Sequence, residues 1–393
     1  MLLFSPPSIG GEEIAEVVAT LNTPWITTGP KVREFETQMA RYLGVRTAHA
    51  VNSCTDAMLI ALAALGVGDG DAVFVPDMTF CATANVVDHL GATPVIVDVD
   101  PVTLNLDADL LDRAVKTVLE DGTLRPRAVM PVHYAGHPCD MDAIMSVAQH
   151  HDLAVIEDAA HAFAARYRGE LVGSVEDSPL PRVAAFSFYA TKNLTTIEGG
   201  LLSGSPELVD ECRLWSLHGM SKDAWNRYGK GGSWYYEVVR PGYKCNMTDV
   251  QASIGIHQLA RIEQFQTRRR EVVAAYGEGL APLDAVQLPV EVGDVESAWH
   301  LYPIRLHLEA LTIDRARFID ELTARNIGTS VHFIPLHHHP YYAERYGLSA
   351  SDFPVSSGEY LRLISLPMHA GLSDEDVSDV IEAVSDVATT FRR

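Results

Sequence analysis

The 393-residue sequence predicts an α/β fold: a mostly parallel central sheet with helices on both faces, plus a smaller C-terminal α+β domain. Three observations point there. Between about residues 50 and 205, short apolar runs alternate with helical patterns, the signature of a parallel sheet wound with helices. The apolar runs are nearly continuous, as expected of strands covered on both faces. After about residue 248 this alternation gives way to longer helical stretches.

In order, the expected strands are AVFVPD (72–77), TPVIVDV (93–99), RAVMPVHY (127–134), LAVIED (153–158), VAAFSF (183–188) and GGLLSG (199–204). Helical patterns lie between them at 55–65, 82–90, 107–119 and 141–151, the last with Asp140 as its N-cap. Beyond the sheet, 248–278 reads as one long helix. A strand at 300–308 and helices at 313–326 and 374–391 complete the tail. No Pro/Gly/Ser-rich linker separates the two parts, so residues 1–250 and 251–393 are expected as closely packed domains.

Composition narrows the function. Hydrophobic residues make up 47% and charged ones 21%, and 52 acids against 30 bases give a net charge of −22. Such an acidic chain is a poor partner for nucleic acid or an anionic membrane, and an anionic substrate would need a local basic site. The opening MLLFSPPSIGGEE lacks the features of a signal peptide, and the longest apolar run, near 57–67, is too short to span a bilayer. Five scattered cysteines without a CxxC pair suggest reduced thiols in a cytoplasmic protein. No metal is expected: adjacent side chains of the HHH run (337–339) point different ways, without ligand spacing around them. The sequon Asn193-Leu194-Thr195 is read as coincidence.

In an open parallel sheet, ligands bind outside the carboxyl ends of the strands. At those ends stand Glu157-Asp158 followed by His161, Ser187 followed by Lys192, and Phe80 after strand 72–77. The first helix opens with Ser53-Cys54-Thr55-Asp56, whose free backbone N–H groups suit a phosphate. A phosphate seat, a carboxylate, a flat ring and an amine are what pyridoxal phosphate requires. The amine forms a Schiff base with the aldehyde, and the carboxylate pairs with the protonated pyridine nitrogen.

These stretches resemble a known family. VIEDAAHAFAA (155–165), FSFYATKNLTTIEGG (186–200) and PGYKCNMTDVQASIGIHQLARIE (241–263) are similar to the DegT/DnrJ/EryC1/StrS aminotransferases, sugar aminotransferases of fold type I. WITTGPKVREFE (25–36), VNSCTDAML (51–59), LHGMSKDAW (217–225), SAWHLYPIRL (297–306) and VHFIPLHHHPYY (331–342) extend the resemblance over nearly the whole chain. It implies Lys192 as the Schiff-base lysine, Asp158 as partner of the pyridine nitrogen and Phe80 as the stacking ring. Cys54, Thr55 and Ser187 would hold the phosphate. His161 stands where the family usually has glutamine, near the cofactor's 3′-oxygen. The GYKCNM segment would reach the partner subunit's phosphate through Lys244 or Asn246, which implies a homodimer with shared active sites.

On the substrate side the candidates are Thr28, Lys222, Arg227, Tyr236 and His337. Three of them sit in or beside 221–244, where basic and aromatic residues crowd in an otherwise acidic chain and could grip a nucleotide-linked sugar. The resemblance implies transfer of an amino group from glutamate to such a keto-sugar, with LHGMSKDAW and PGYKCN most like members acting at C4. The alternatives are a relative acting on a cyclitol ketone, a sugar dehydratase, or a non-catalytic sensor of a small ligand. Dehydratase members replace the lysine with histidine, so Lys192 favours transamination.

Overall fold

The computed structural model describes residues 1–175, 177–220 and 236–393. Its centre is a seven-stranded sheet. The strands are β1 (Ala48–Val51), β2 (Asp71–Pro76), β3 (Thr93–Val97), β4 (Arg125–Val129), β5 (Ala154–Asp158), β8 (Arg182–Ser187) and β9 (Gly200–Gly204), in spatial order β1-β9-β8-β5-β4-β2-β3. A small hairpin of β6 (Arg166–Tyr167) and β7 (Glu170–Leu171) interrupts the sequence order.

Six strands run parallel and β9 alone runs against its neighbours. The cause is the connection before it. Parallel neighbours need a crossover, usually a helix, whereas residues 188–199 form a helix-free loop, so the chain doubles back beside β8. That loop carries Lys192.

Helices cover both faces, as expected. On one face lie α3 (Cys54–Ala64), α4 (Ala82–His89) and α7 (Pro206–Ser216); Met58, Ile60, Val87 and Val209 pack there on Val73, Val75, Ile156 and Val183. On the other, α2 (Pro30–Leu43) sets Phe35 and Met39 against Ala50, Phe186 and Leu201. Farther along that side, α5 (Ala108–Asp121) and α6 (Met141–His151) cover Phe74, Val129 and Val155. The caps follow sequence chemistry: Ser53 accepts from Asp56 N at 3.0 Å and Asp140 from Ala143 N at 3.2 Å.

The stretch expected as one long helix is two, α8 (Asp249–Ala260) and α9 (Ile262–Leu280), with α1 (Gly11–Leu21) packed against the first. The break falls at Arg261, whose N–H turns back to Gln258 O at 3.1 Å and whose guanidinium reaches Glu13 and Ser8 O. No glycine or proline marks it. Ile262 and Phe265 still pack with the core around Phe186, whereas Val272, Tyr276 and Leu280 enter the core of the C-terminal sheet.

That second sheet is antiparallel, β10 (Val286–Gln287), β12 (Tyr302–Leu306) and β13 (Leu363–Leu366), while β11 (Val295–Glu296) joins the small hairpin. It is backed by α9, α10 (Arg315–Ala324) and α13 (Asp374–Thr390). The segment between α10 and β13 returns to the carboxyl ends of β2 and β3, where Leu336 N donates to Asp77 O at 3.0 Å and Val355 N and Ser356 N donate to the Asp98 carboxylate. No helix among the described residues is long and apolar enough to cross a membrane.

Candidate active site

At the carboxyl ends of β5 and β8 a cavity of about 530 Å³ opens, within the range of small-molecule sites. Seven of the residues expected at a cofactor site line it together: Cys54, Thr55, Phe80, Asp158, His161, Ser187 and Lys192. They come from four separate strand ends and meet only because the sheet is parallel there.

Lys192 is held from its own loop, its N–H donating to Tyr189 O at 2.9 Å. Its neighbour Asn193 is buried and donates to Ala298 O at 2.7 Å and Gln266 Oε1 at 3.2 Å, while His300 Nδ1 lies 3.1 Å from Asn193 Oδ1. That occupied amide is no acceptor for a glycan. Burial lowers the Lys192 ammonium to about 8, against the opposing pull of Asp158. Among the described residues no hydrogen bond or ion pair ties the amine down.

Asp158 ends β5 fully inside. Burial raises its carboxyl, while Thr83, the Ala160 N–H and Lys192 act to lower it. Thr83 Oγ1 donates to Oδ2 at 2.8 Å and Ala160 N donates to Oδ1 at 3.1 Å. Thr83 was not anticipated, although it sits three residues beyond Phe80 on the first turn of α4. Behind Asp158, Glu157 points the other way, to Arg182 Nε at 2.6 Å and His133 Nε2 at 2.9 Å.

The opposite wall is aromatic and also went unread: His300, His332, Phe333 and Phe4. The His161 ring stacks on Phe333 at 5.6 Å and meets His300 at 4.5 Å. Burial and then the Lys192 charge hold His161 well below its usual value, so the ring is neutral. The motifs SAWHLY and VHFIP contain these histidines, but nothing in their spacing aims them at Lys192.

Other expected residues stand elsewhere. Lys244, Asn246 and Thr28 cluster outside the cavity walls, with Asn246 Nδ2 donating to Thr28 Oγ1 at 2.6 Å and the Lys244 ammonium bonded to Asn246 Oδ1. Tyr236 is exposed and does not line the cavity. His337 is not brought to the pocket either. It is buried, with Nδ1 2.6 Å from Asp77 Oδ2 and Nε2 2.9 Å from Ser357 Oγ, and its ring stacks on Phe353. Both ring nitrogens are spent on tying the C-terminal segment to β2. Lys222 and Arg227 lie outside the described residues.

The residues fit pyridoxal phosphate on observations independent of the resemblance. Among the described residues His161 Nδ1 is buried without a hydrogen-bond partner, in the wall of a cavity that holds an amine and a carboxylate. The backbone at the start of α3 lies hard against Gly200, where an added Cβ would come within 2.6 Å of Cys54 N. Only glycine lets β9 run so close to the helix terminus that would seat a phosphate. Burial, and then Asp158, push the Cys54 thiol well above its usual value, and its Sγ lies 3.3 Å from Ala185 O. Its side chain is therefore committed to the sheet, leaving the backbone N–H as its means of holding an anion.

The model of the DegT/DnrJ/EryC1/StrS aminotransferase family matches residues 7–385. Spore coat polysaccharide biosynthesis protein SpsC of Bacillus subtilis (strain 168) is 49% identical over 388 residues, covering 98% of this chain and 97% of that protein. The PLP form of Spr1654 from Streptococcus pneumoniae superposes with a TM-score of 0.89 at 35% identity, over 99% of each chain. Sugar aminotransferase CalS13 from Micromonospora echinospora gives 0.85 at 28% identity, over 98% of this chain and 100% of that one. With the family model matched over nearly its whole length and the scaffold shared from end to end with these proteins, the chain belongs to the DegT/DnrJ/EryC1/StrS aminotransferase family as a pyridoxal-phosphate-dependent sugar aminotransferase.

Proposed function

We propose that the enzyme takes an amino group from glutamate and delivers it to the ketone of a nucleotide-linked sugar, at C4 of the ring. The observation that carries this reading is Lys192 itself: a buried amine lowered to about 8, in one cavity with Asp158. Bound there, pyridoxal phosphate supplies an electron sink for charge developing on the substrate carbon.

The residues of the chain do the rest. Asp158, kept in place by Thr83 and the Ala160 N–H, would hold a proton on the pyridine nitrogen. Lys192 would bind the aldehyde and, once displaced by an incoming amine, carry the proton to and from the reacting carbon. An amine near 8 is suited to both directions of transfer at neutral pH, because roughly a tenth of it is unprotonated there. The first helix turn and Ser187 would seat the phosphate, and His161 would donate toward the 3′-oxygen.

Anion recognition supports a shared site. Among the described residues lining the cavity, Lys192 is the one lysine or arginine. The cofactor phosphate, the glutamate carboxylates and a diphosphate therefore call for cations from outside these walls. Lys244 with Asn246, reaching from a partner subunit, and the basic stretch 221–244 supply them in this reading. A part in polysaccharide biosynthesis, for which SpsC is named, is consistent with a nucleotide-activated sugar.

The test is a screen of UDP-, GDP- and dTDP-linked 4-keto-sugars with glutamate, reading 2-oxoglutarate release and the mass of the amino-sugar formed. Turnover with a cyclitol ketone and none of the nucleotide sugars would sink the assignment.

A further inference from the structure

The N-terminal segment runs across the mouth of the cavity as a strap fixed at both ends. Leu2 is clamped by the C-terminal domain, its N–H donating to Asn326 O at 2.7 Å and its carbonyl accepting from Gly328 N at 2.9 Å. Gly328 makes that approach possible, since an added Cβ would stand 2.8 Å from Leu2 O. Two residues on, Phe4 O accepts from Met368 N at 3.4 Å. Ser5 Oγ then donates to Thr191 O at 3.2 Å, on the residue immediately before Lys192. Phe4, between these ties, is half-buried and lines the cavity.

The Phe4 ring is not loose. It stacks on His332 at 5.4 Å and 25°, and His332 Nδ1 is 2.9 Å from Ser365 Oγ on β13. Burial and the nearby Lys192 charge lower His332 to about 4, so the pair is an uncharged flat surface at working pH. Phe80, the ring expected on the cofactor, comes from a different segment, the loop just before α4, and packs toward Phe333, 6.2 Å away. The rings thus run in one chain from Phe80 through Phe333 and His332 to Phe4, and the role expected of Phe80 on the cofactor leaves Phe4, at the other end, without one.

We propose that Phe4 is a specificity-determining residue, the surface on which the apolar face of the acceptor sugar ring rests while its carbonyl carbon stands at Lys192. The proposal deepens the function proposed above and rests on a ring-bearing acceptor. Glutamate has no ring, and its two carboxylates gain nothing from an uncharged aromatic face. Phe4 therefore acts on one half-reaction and not the other, which a structural anchor would not do.

Three holoenzyme variants separate the roles: Phe4→Ala, Phe4→Leu and Phe4→Tyr. Leucine keeps an apolar anchor for the strap without a flat face, and tyrosine keeps the face. The half-reaction with glutamate is followed by cofactor absorbance, and KM and kcat for the acceptor by steady-state turnover. Expected are a roughly tenfold higher acceptor KM for Phe4→Ala, a smaller rise for Phe4→Leu and a change within about twofold for Phe4→Tyr, with kcat and the glutamate step within about twofold throughout. An acceptor KM unmoved in Phe4→Ala and Phe4→Leu, or a glutamate step that falls by the same factor, overturns the proposal. If the wild type aminates a cyclitol ketone instead of any nucleotide sugar, the broader reading fails, while the same comparison on that ketone still decides the role of Phe4.

Discussion

In the proposed mechanism Lys192 concentrates the chemistry, and its environment fixes what happens when it is altered. Burial moves its ammonium from the usual 10.5 to about 8. Between those values the unfolded chain binds the extra proton, so the apo-protein gains stability as pH rises through that window. Below it, the buried charge is a net cost to the fold. Lys192→Ala should therefore abolish turnover by more than about a thousandfold, losing nucleophile and proton carrier together, while the melting temperature at pH 7 stays level or rises. Measurable transamination in that variant would refute the assignment. The same value predicts how the apo-protein takes up pyridoxal phosphate. Only the neutral amine attacks, so the uptake rate followed by absorbance should climb close to tenfold per pH unit below about 8 and flatten above it. That Lys192, Asp158 and Ser187 meet at one cavity was legible because an ionisable or hydroxyl residue at the end of an apolar strand has a known place in a parallel sheet. His337, expected at the substrate, lacks the same constraint and does not line the cavity. Nothing in HHH tells which ring turns inward, and here it turned toward Asp77, not toward the cavity.

Strands and helices show why some elements were readable and others hidden. The strands around the site are apolar on both faces, and burial alone identifies them. β1 was missed because four residues, AHAV, give too short a run and include a histidine. His49 is nonetheless buried, with Nδ1 3.0 Å from Glu36 Oε1 and Nε2 2.8 Å from Ser216 Oγ. The antiparallel turn of β9 was equally invisible, since strand direction follows from the loop before it. Register within the sheet is held by Glu157, whose carboxylate joins Arg182 on β8 to His133 after β4. Burial pushes that carboxyl up, but Arg182 and His133 outweigh it and hold it at about 2. A carboxyl held this low contributes stability that is complete above its unfolded value and fades as pH falls toward 2. Glu157→Gln should cost about 3 kcal/mol at pH 7 in urea unfolding, with the gap from wild type narrowing as the medium is acidified. A gap that stays constant from pH 7 to pH 3 would show that the carboxylate charge is not what holds the strands.

At the level of the whole molecule, the open question is where the cations come from. The chain carries 52 acids against 30 bases, yet its cofactor and both proposed substrates are anions. Lys244, Asn246 and Thr28 form a bonded group outside the cavity walls of their own chain, and the family resemblance has the segment carrying Lys244 and Asn246 reach into a neighbouring subunit. If two chains exchange these segments, each cavity is completed by a residue it does not own, and an isologous pair completes both at once. Subunit mixing puts that to the test. A Lys192→Ala chain retains Lys244 and Asn246, and a Lys244→Ala/Asn246→Ala chain retains Lys192. Each homodimer should be nearly inactive. In a hybrid, one cavity combines both losses while the other is intact. Random pairing of equal amounts after dissociation makes about half the dimers hybrid, with one working site in each, so about a quarter of wild-type activity should return. Sites built within single chains would show no recovery at any mixing ratio, and the segment around Lys244 would then need another role.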